Sequence, residues 1–124
     1  YRVGGSTARR TNARIIAATN RDLRSLLSEG RFREDLFYRI DVFRLAIPPL
    51  RERREDVPLL AAHFLRMLIE AGVQTPARRF GATALERLSA YDWPGNVREL
   101  RNVVWRALAD VRSETIGPED LSFL

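Results

Sequence analysis

A pair of prolines, Pro48-Pro49, separates two stretches of different hydrophobic rhythm. Proline lacks an amide hydrogen and holds φ near −65°, so neither a helix nor a central strand runs through such a pair. Before it lie two short apolar runs, 15–18 and 42–47, with the length and residue types of buried strands. Two short helical stretches stand between them: 22–29, stopped by Gly30, and 32–40. After the prolines the rhythm is helical throughout. Glu55, Asp56 and Pro58 mark the start of a long amphipathic helix that runs to about residue 71 and closes at Gly72. Residues 74–81 read as a linker, and a helix over about 83–91 leads to the turn Trp93-Pro94-Gly95. A last long helix spans about 96–112, and Pro118-Glu119-Asp120-Leu121 reads as one final turn. The fold class is therefore an α/β remnant followed by an all-α subdomain, divided near residues 48–55 into 1–50 and 51–124. Two strands do not make a stable sheet alone. The remaining strands are expected to precede Tyr1, and the chain, which has no initiator Met, to be part of a longer protein.

Composition narrows the chemistry. The chain has 124 residues, 45% hydrophobic and 30% charged, too apolar for a disordered tail and sufficient for one modest domain or two small subdomains. No apolar run approaches the ~20 residues of a membrane span, and residues 1–5 carry no signal-peptide core. Cys is absent and His63 is the only histidine, which excludes disulfides, thiolate or His-rich metal sites and a Cys nucleophile. A reducing cytoplasm suits that composition. All 21 basic residues are Arg, so a Walker A loop, which requires Lys, is impossible in this chain. The net charge is +5, but the arginines are interleaved with 16 acids and form no block. That pattern fits solvated or interface charge better than a patch for DNA.

Three places carry candidate chemistry. Thr19-Asn20 ends the first apolar run, and in open α/β sheets ligands bind beyond the carboxyl ends of the strands. The pair either senses a phosphate or water there, or Asn20 caps the helix that follows. On a helical wheel begun at Phe32, Arg33 falls inside the apolar arc of Leu36, Phe37 and Ile40, and Arg39 at its edge. Such arginines either snorkel from a packed stem or belong to an interface. In the last helix Asn96 is placed as N-cap, with Glu99 reaching back as in a capping box. Val97, Leu100, Val103, Val104, Ala107, Leu108 and Val111 form its core stripe. Arg98 lies off that stripe in the first turn, where a cation opposes the helix dipole. It either pairs with an acid such as Asp92 or meets an anion drawn to the helix start.

Four ordered motifs, ATNRDL (18–23), FREDLFYRI (32–40), PPLRERREDV (48–57) and WPGNVREL (93–100), resemble the AAA+ central domain of sigma-54-dependent transcriptional activators. The resemblance covers about residues 1–121 and implies the end of a parallel-sheet AAA+ core followed by a helical lid. It makes Thr19 and Asn20 sensor I, and Arg33 and Arg39 arginine-finger candidates acting on the neighbouring subunit. Arg98 becomes sensor II, and Leu50 and Arg51, within 49–53, lie near the adenine. The cofactor implied is ATP or ADP with Mg in the intact domain, with no tight binding and no turnover by this portion alone. The partners implied are further copies in a ring of six or seven, sigma-54 RNA polymerase through loops before Tyr1, and DNA through a domain after Leu124; no membrane is involved. Walker A, the Walker B acids and the GAFTGA-type loop are likewise expected before Tyr1, and a two-component setting is typical. Trp105 departs from the family's usual polar residue, as either a lid contact or a buried anchor, on the face that Arg98 shares. Two alternatives remain: a helix-turn-helix-like DNA-binding module using Arg98, Arg101 and Asn102, and a lid that acts only as an oligomerisation surface.

Overall fold

The computed structural model describes residues 4–5, 7–8 and 10–123. Residues 1–3, 6, 9 and 124 lie outside the described residues. The chain forms two compact units, Tyr1–Ala46 and Ile47–Leu124.

The first unit holds α1 (Leu23–Ser28) and α2 (Glu34–Ile40). Asp22 caps α1: its carboxylate accepts the N–H groups of Arg24 and Ser25. The Ser25 hydroxyl donates to the same carboxylate at 2.9 Å. Asn20 is therefore not the cap, because the helix starts two residues later than a cap at 20 requires. Glu34 and Asp35 occupy the first turn of α2, where negative charge is favoured. Among the described residues of this unit, Phe37 is the only buried side chain. The strands expected over 15–18 and 42–47 do not form. Ile15, Ile16, Phe43, Leu45 and Ile47 are each more than 80% exposed. A strand's amides need partners, and no described segment of the chain offers these two runs a neighbouring strand.

The second unit has its own core. Two 3-10 turns, Leu50–Glu52 and Arg54–Asp56, lead into α3 (Val57–Glu70). Val57, Ala61, Phe64, Leu65 and Leu68 recur at helical spacing and form the buried face of α3. Gly72 ends the helix with φ of +96°, the left-handed conformation that glycine adopts without a Cβ penalty. The region expected as linker contains β1 (Arg79–Phe80), which pairs in parallel with β2 (Thr115–Ile116), so this unit is not purely helical. Two-residue strands are too short for alternation to announce them. The buried Ile116 anchors this ladder, and Gly81 N–H donates to its carbonyl at 2.9 Å.

Next come α4 (Ala82–Ala90) and α5 (Asn96–Asp110), then a 3-10 turn over Pro118–Asp120. The last helix stops at Asp110, short of 112, because Val111 turns to an extended conformation and buries its side chain. Leu100, Val103, Val104, Ala107 and Leu108 of α5 share one core with the buried face of α3, with Ala84 and Leu88 of α4, and with Leu50, Trp93, Ile116 and Leu121.

Trp93 has no exposed surface. We expect Trp93→Ala to lower unfolding stability by about 3–5 kcal/mol, the range for large core truncations. Leu59→Ala, at a position 72% exposed, should stay within about 0.5 kcal/mol. Denaturant unfolding of both variants checks this, and similar midpoints would contradict the core assignment.

Candidate functional site

The turn between α4 and α5 concentrates unusual backbone. Trp93 and Asn96 both have φ of +51°, although neither is glycine. Such residues cost roughly 1–2 kcal/mol each and persist only where their surroundings hold them. The Trp93 indole N–H donates to the Leu88 carbonyl at 2.8 Å, and Asn96 N–H to the Trp93 carbonyl at 2.8 Å. Tyr91 meets Trp93 edge-on at 4.9 Å and stacks at a tilt on Phe123 at 4.4 Å. Glu99, only 6% exposed, accepts Gly95 N–H at 2.8 Å and the Tyr91 hydroxyl at 3.1 Å. Burial, and then the Glu99 carboxylate, push the Tyr91 phenol above its ordinary range. A Cβ on Gly95 would fall 2.7 Å from Glu99 Cβ, so the bend needs glycine for space.

The capping box takes a different form from that expected. Gly95, not Asn96, holds the N-cap position, and Glu99 reaches back to the Gly95 amide. Asn96 directs its carboxamide oxygen to the Leu50 N–H instead, at 2.9 Å and 46 residues away. This bond ties the start of α5 to the 3-10 turn over Leu50–Glu52.

Arg98 is exposed in the first turn of α5 and has no acidic partner among the described residues. Asp92, the acid considered for it, pairs with Arg54 at 2.6 Å. Arg54 also donates to the Ser89 and Tyr91 carbonyls at 2.7 and 2.9 Å. Sequence reasoning misses Arg54, since a cation serving a helix end more than 30 residues away leaves no local pattern. Arg51 is exposed, whereas Leu50 is wholly buried and belongs to the core. Arg53 Nε is buried and has no hydrogen-bond partner among the described residues.

In the first unit, Thr19 and Asn20 are exposed, and Thr19 Oγ1 accepts Arg21 N–H at 3.1 Å. Arg33 stands at the N-cap of α2 with extended backbone, so a wheel position counted from Phe32 does not apply to it. Its guanidinium grips Asp35 at 3.1 and 2.7 Å, and both side chains are largely exposed. Arg33 holds the Asp35 carboxyl below its usual range. Arg39 is exposed in the last turn of α2, where a cation suits the helix dipole. Trp105 is 50% exposed, so it is no buried anchor. None of these candidates lines the groove of about 590 Å³ beside α3, whose walls include Leu65, Ile69, Phe80 and Leu85. Among the described residues no group of three or more His, Cys, Asp or Glu side chains is arranged to hold a metal ion. No described helix is long and apolar enough to cross a membrane.

The chain belongs to the AAA+ ATPase lid domain family, whose model matches residues 51–123. Residues 1–46 match the sigma-54 interaction domain. The chain is 53% identical over 115 residues to the DNA-binding transcriptional regulator NtrC of Azospirillum brasilense, covering 93% of this chain and 24% of that protein. It is 48% identical over 120 residues to the regulatory protein AtoC of Escherichia coli K12, covering 97% of this chain and 26% of that protein. The crystal structure of NtrX from Brucella abortus in complex with ATP superposes with a TM-score of 0.83 at 38% identity, covering 98% of this chain and 28% of that one. The ADP complex of the same protein gives 0.81 at the same identity and coverage. The expected fold class, an AAA+ α/β end followed by a lid, agrees with these neighbours, although the first unit's strands lack partners here.

Replacing Arg33 with Ala should return the Asp35 titration toward the ordinary aspartate range, near ~3.9. Because the folded value is depressed, the pair's contribution is present above that range and is lost as pH falls through the folded value. Carboxyl NMR titration of both forms checks it, and an unchanged Asp35 curve would contradict the pairing.

Proposed function

We propose that this chain is the nucleotide-sensing part of an ATP-driven activator of sigma-54 RNA polymerase. The chain spans about a quarter of the length of the relatives it matches, so the activity belongs to the longer protein. The observation that carries the reading is the exposed, unpaired Arg98 at the start of α5, next to a turn that is rigidly held. A helix start favours an anion, and an exposed arginine there can join the helix dipole in holding one. The buried, unpartnered Arg53 Nε adds a donor with nothing to bind at the turn assigned to the adenine. These residues fit a nucleotide.

When bound, ATP supplies the γ-phosphoryl group whose transfer to water drives the machine. Arg98 reads the nucleotide of its own subunit, with Arg51 and the turn that Leu50 anchors beside the base. Arg33 and Arg39 reach the nucleotide of a neighbouring copy, and Thr19 and Asn20 sense the γ-phosphate. Residues 1–50 thus carry sensor I and the fingers, and 51–124 the lid. Arginine suits both roles, being planar and permanently charged. No residue of this chain is assigned to Mg. The protein works in the cytoplasm as a ring of six or seven copies and meets DNA through another domain. This chain alone does not turn over ATP. Neither matched family is a DNA-binding module, so the helix-turn-helix alternative gains no support.

In the full-length protein, Arg33→Ala should lower ATP turnover by about 10³–10⁵-fold, the value of a finger supplied in trans. Size-exclusion chromatography with light scattering should find the ring intact. Loss of the ring together with turnover would instead identify a structural contact, and unchanged turnover would remove Arg33 from the site.

A further inference from the structure

The α4–α5 turn that presents Arg98 contains two non-glycine residues in the left-handed region, Trp93 and Asn96. Backbone of this kind relaxes unless several contacts hold it at once. Four side chains do so. Trp93 is buried, Glu99 holds the Gly95 amide, and Asn96 binds the Leu50 amide. The fourth, Arg54, is the only one of the four that lies outside α4, α5 and the turn between them. From the 3-10 turn before α3 its guanidinium spans the Ser89 carbonyl, the Tyr91 carbonyl and the Asp92 carboxylate at 2.7, 2.9 and 2.6 Å. These acceptors lie at the end of α4, where carbonyls have no helical partner. A planar fork satisfies all three together, and a point charge does not reproduce that geometry.

Asp92, the acid considered for Arg98 from the sequence, gives one carboxylate oxygen to Arg54 at 2.6 Å. By crossing from residue 54 to 89–92, Arg54 ties the turn over Arg54–Asp56 to the end of α4, beside the Asn96–Leu50 bond that ties the turn over Leu50–Glu52 to the start of α5. We propose that Arg54 is a positioning residue for Arg98: it fixes the turn that aims Arg98 at an anionic ligand. This inference rests on the nucleotide reading of Arg98 above. Arg54 does not touch the nucleotide itself. Its effect passes through the direction in which α5 leaves the turn.

The test compares Arg54→Met, Arg98→Ala and the double variant in the full-length protein, reading kcat and KM for ATP together with ring assembly. Arg54→Met keeps the stem and removes the fork. It should lower kcat/KM by roughly ten- to a hundredfold, as small displacements of a positioned group do, with the ring preserved. In the Arg98→Ala background the same change should alter kcat/KM less than twofold, because its route is already cut. Equal losses in both backgrounds, or no loss in either, would overturn the proposal. If Arg98→Ala alone leaves turnover unchanged, the nucleotide reading of Arg98 fails and the proposal fails with it. Hydrogen exchange at the Gly95 and Asn96 amides then shows separately whether Arg54 holds the turn: about tenfold faster in Arg54→Met if it does. Where Arg54→Met melts below the assay temperature, Arg54→Lys, which keeps the charge but cannot span the three acceptors, carries the same expectations.

Discussion

Burial of Trp93 is the contact on which the lid depends. Its side chain has no exposed surface, yet its backbone sits at φ +51°, a conformation that a bulky residue adopts only under constraint. Burying an indole against Tyr91 and Phe123, in the core shared with Leu88 and Leu100, more than offsets a strain of roughly 1–2 kcal/mol. The indole N–H finds the Leu88 carbonyl, so no polar atom of the side chain is left unsatisfied. Gly95 leaves room for Glu99 to come back onto its amide.

From that point the order spreads outward. Asn96 connects the helix start to Leu50, and Arg54 connects the end of α4 to the turns before α3. The lid therefore has one core and one polar corner, and the corner is where the exposed Arg98 emerges. The sensor role proposed for Arg98 calls for this combination. The reporting group must be free to bind, while the backbone beneath it must be stiff enough to transmit the movement. In the first unit Arg33 precedes a short helix with one buried residue, and Arg39 lies in that helix's last turn. Arg33 there keeps a local acid, Asp35, as an exposed and easily exchanged partner.

The helices of the second unit are legible in the sequence because an amphipathic face against one core repeats at the helical period, as in α3 and α5. Strands are less so. The runs 15–18 and 42–47 have strand character, but pairing belongs to two segments rather than one, and neither run finds a partner among the described residues. Conversely β1 and β2 pair over only two residues each, too few to show a period. At the site, Glu99 is legible as a cap and Asn96 is half so, since its capping chemistry serves Leu50 and not its own helix. Arg33 is misplaced on the wheel because α2 starts after it. Arg54 is invisible in the sequence, as its three acceptors are 35 to 38 residues away.

The central claim is that Arg98 acts on its own subunit's nucleotide and Arg33 on a neighbour's. Mixing full-length Arg33→Ala protein with full-length Arg98→Ala protein and measuring ATP turnover tests this most directly. Each variant alone is expected to be nearly inactive. In mixed rings, a subunit with intact Arg98 receives an intact Arg33 from its neighbour, so turnover should recover to a substantial fraction of the unmodified rate. Mixed rings that assemble but remain as inactive as either variant alone would contradict the account.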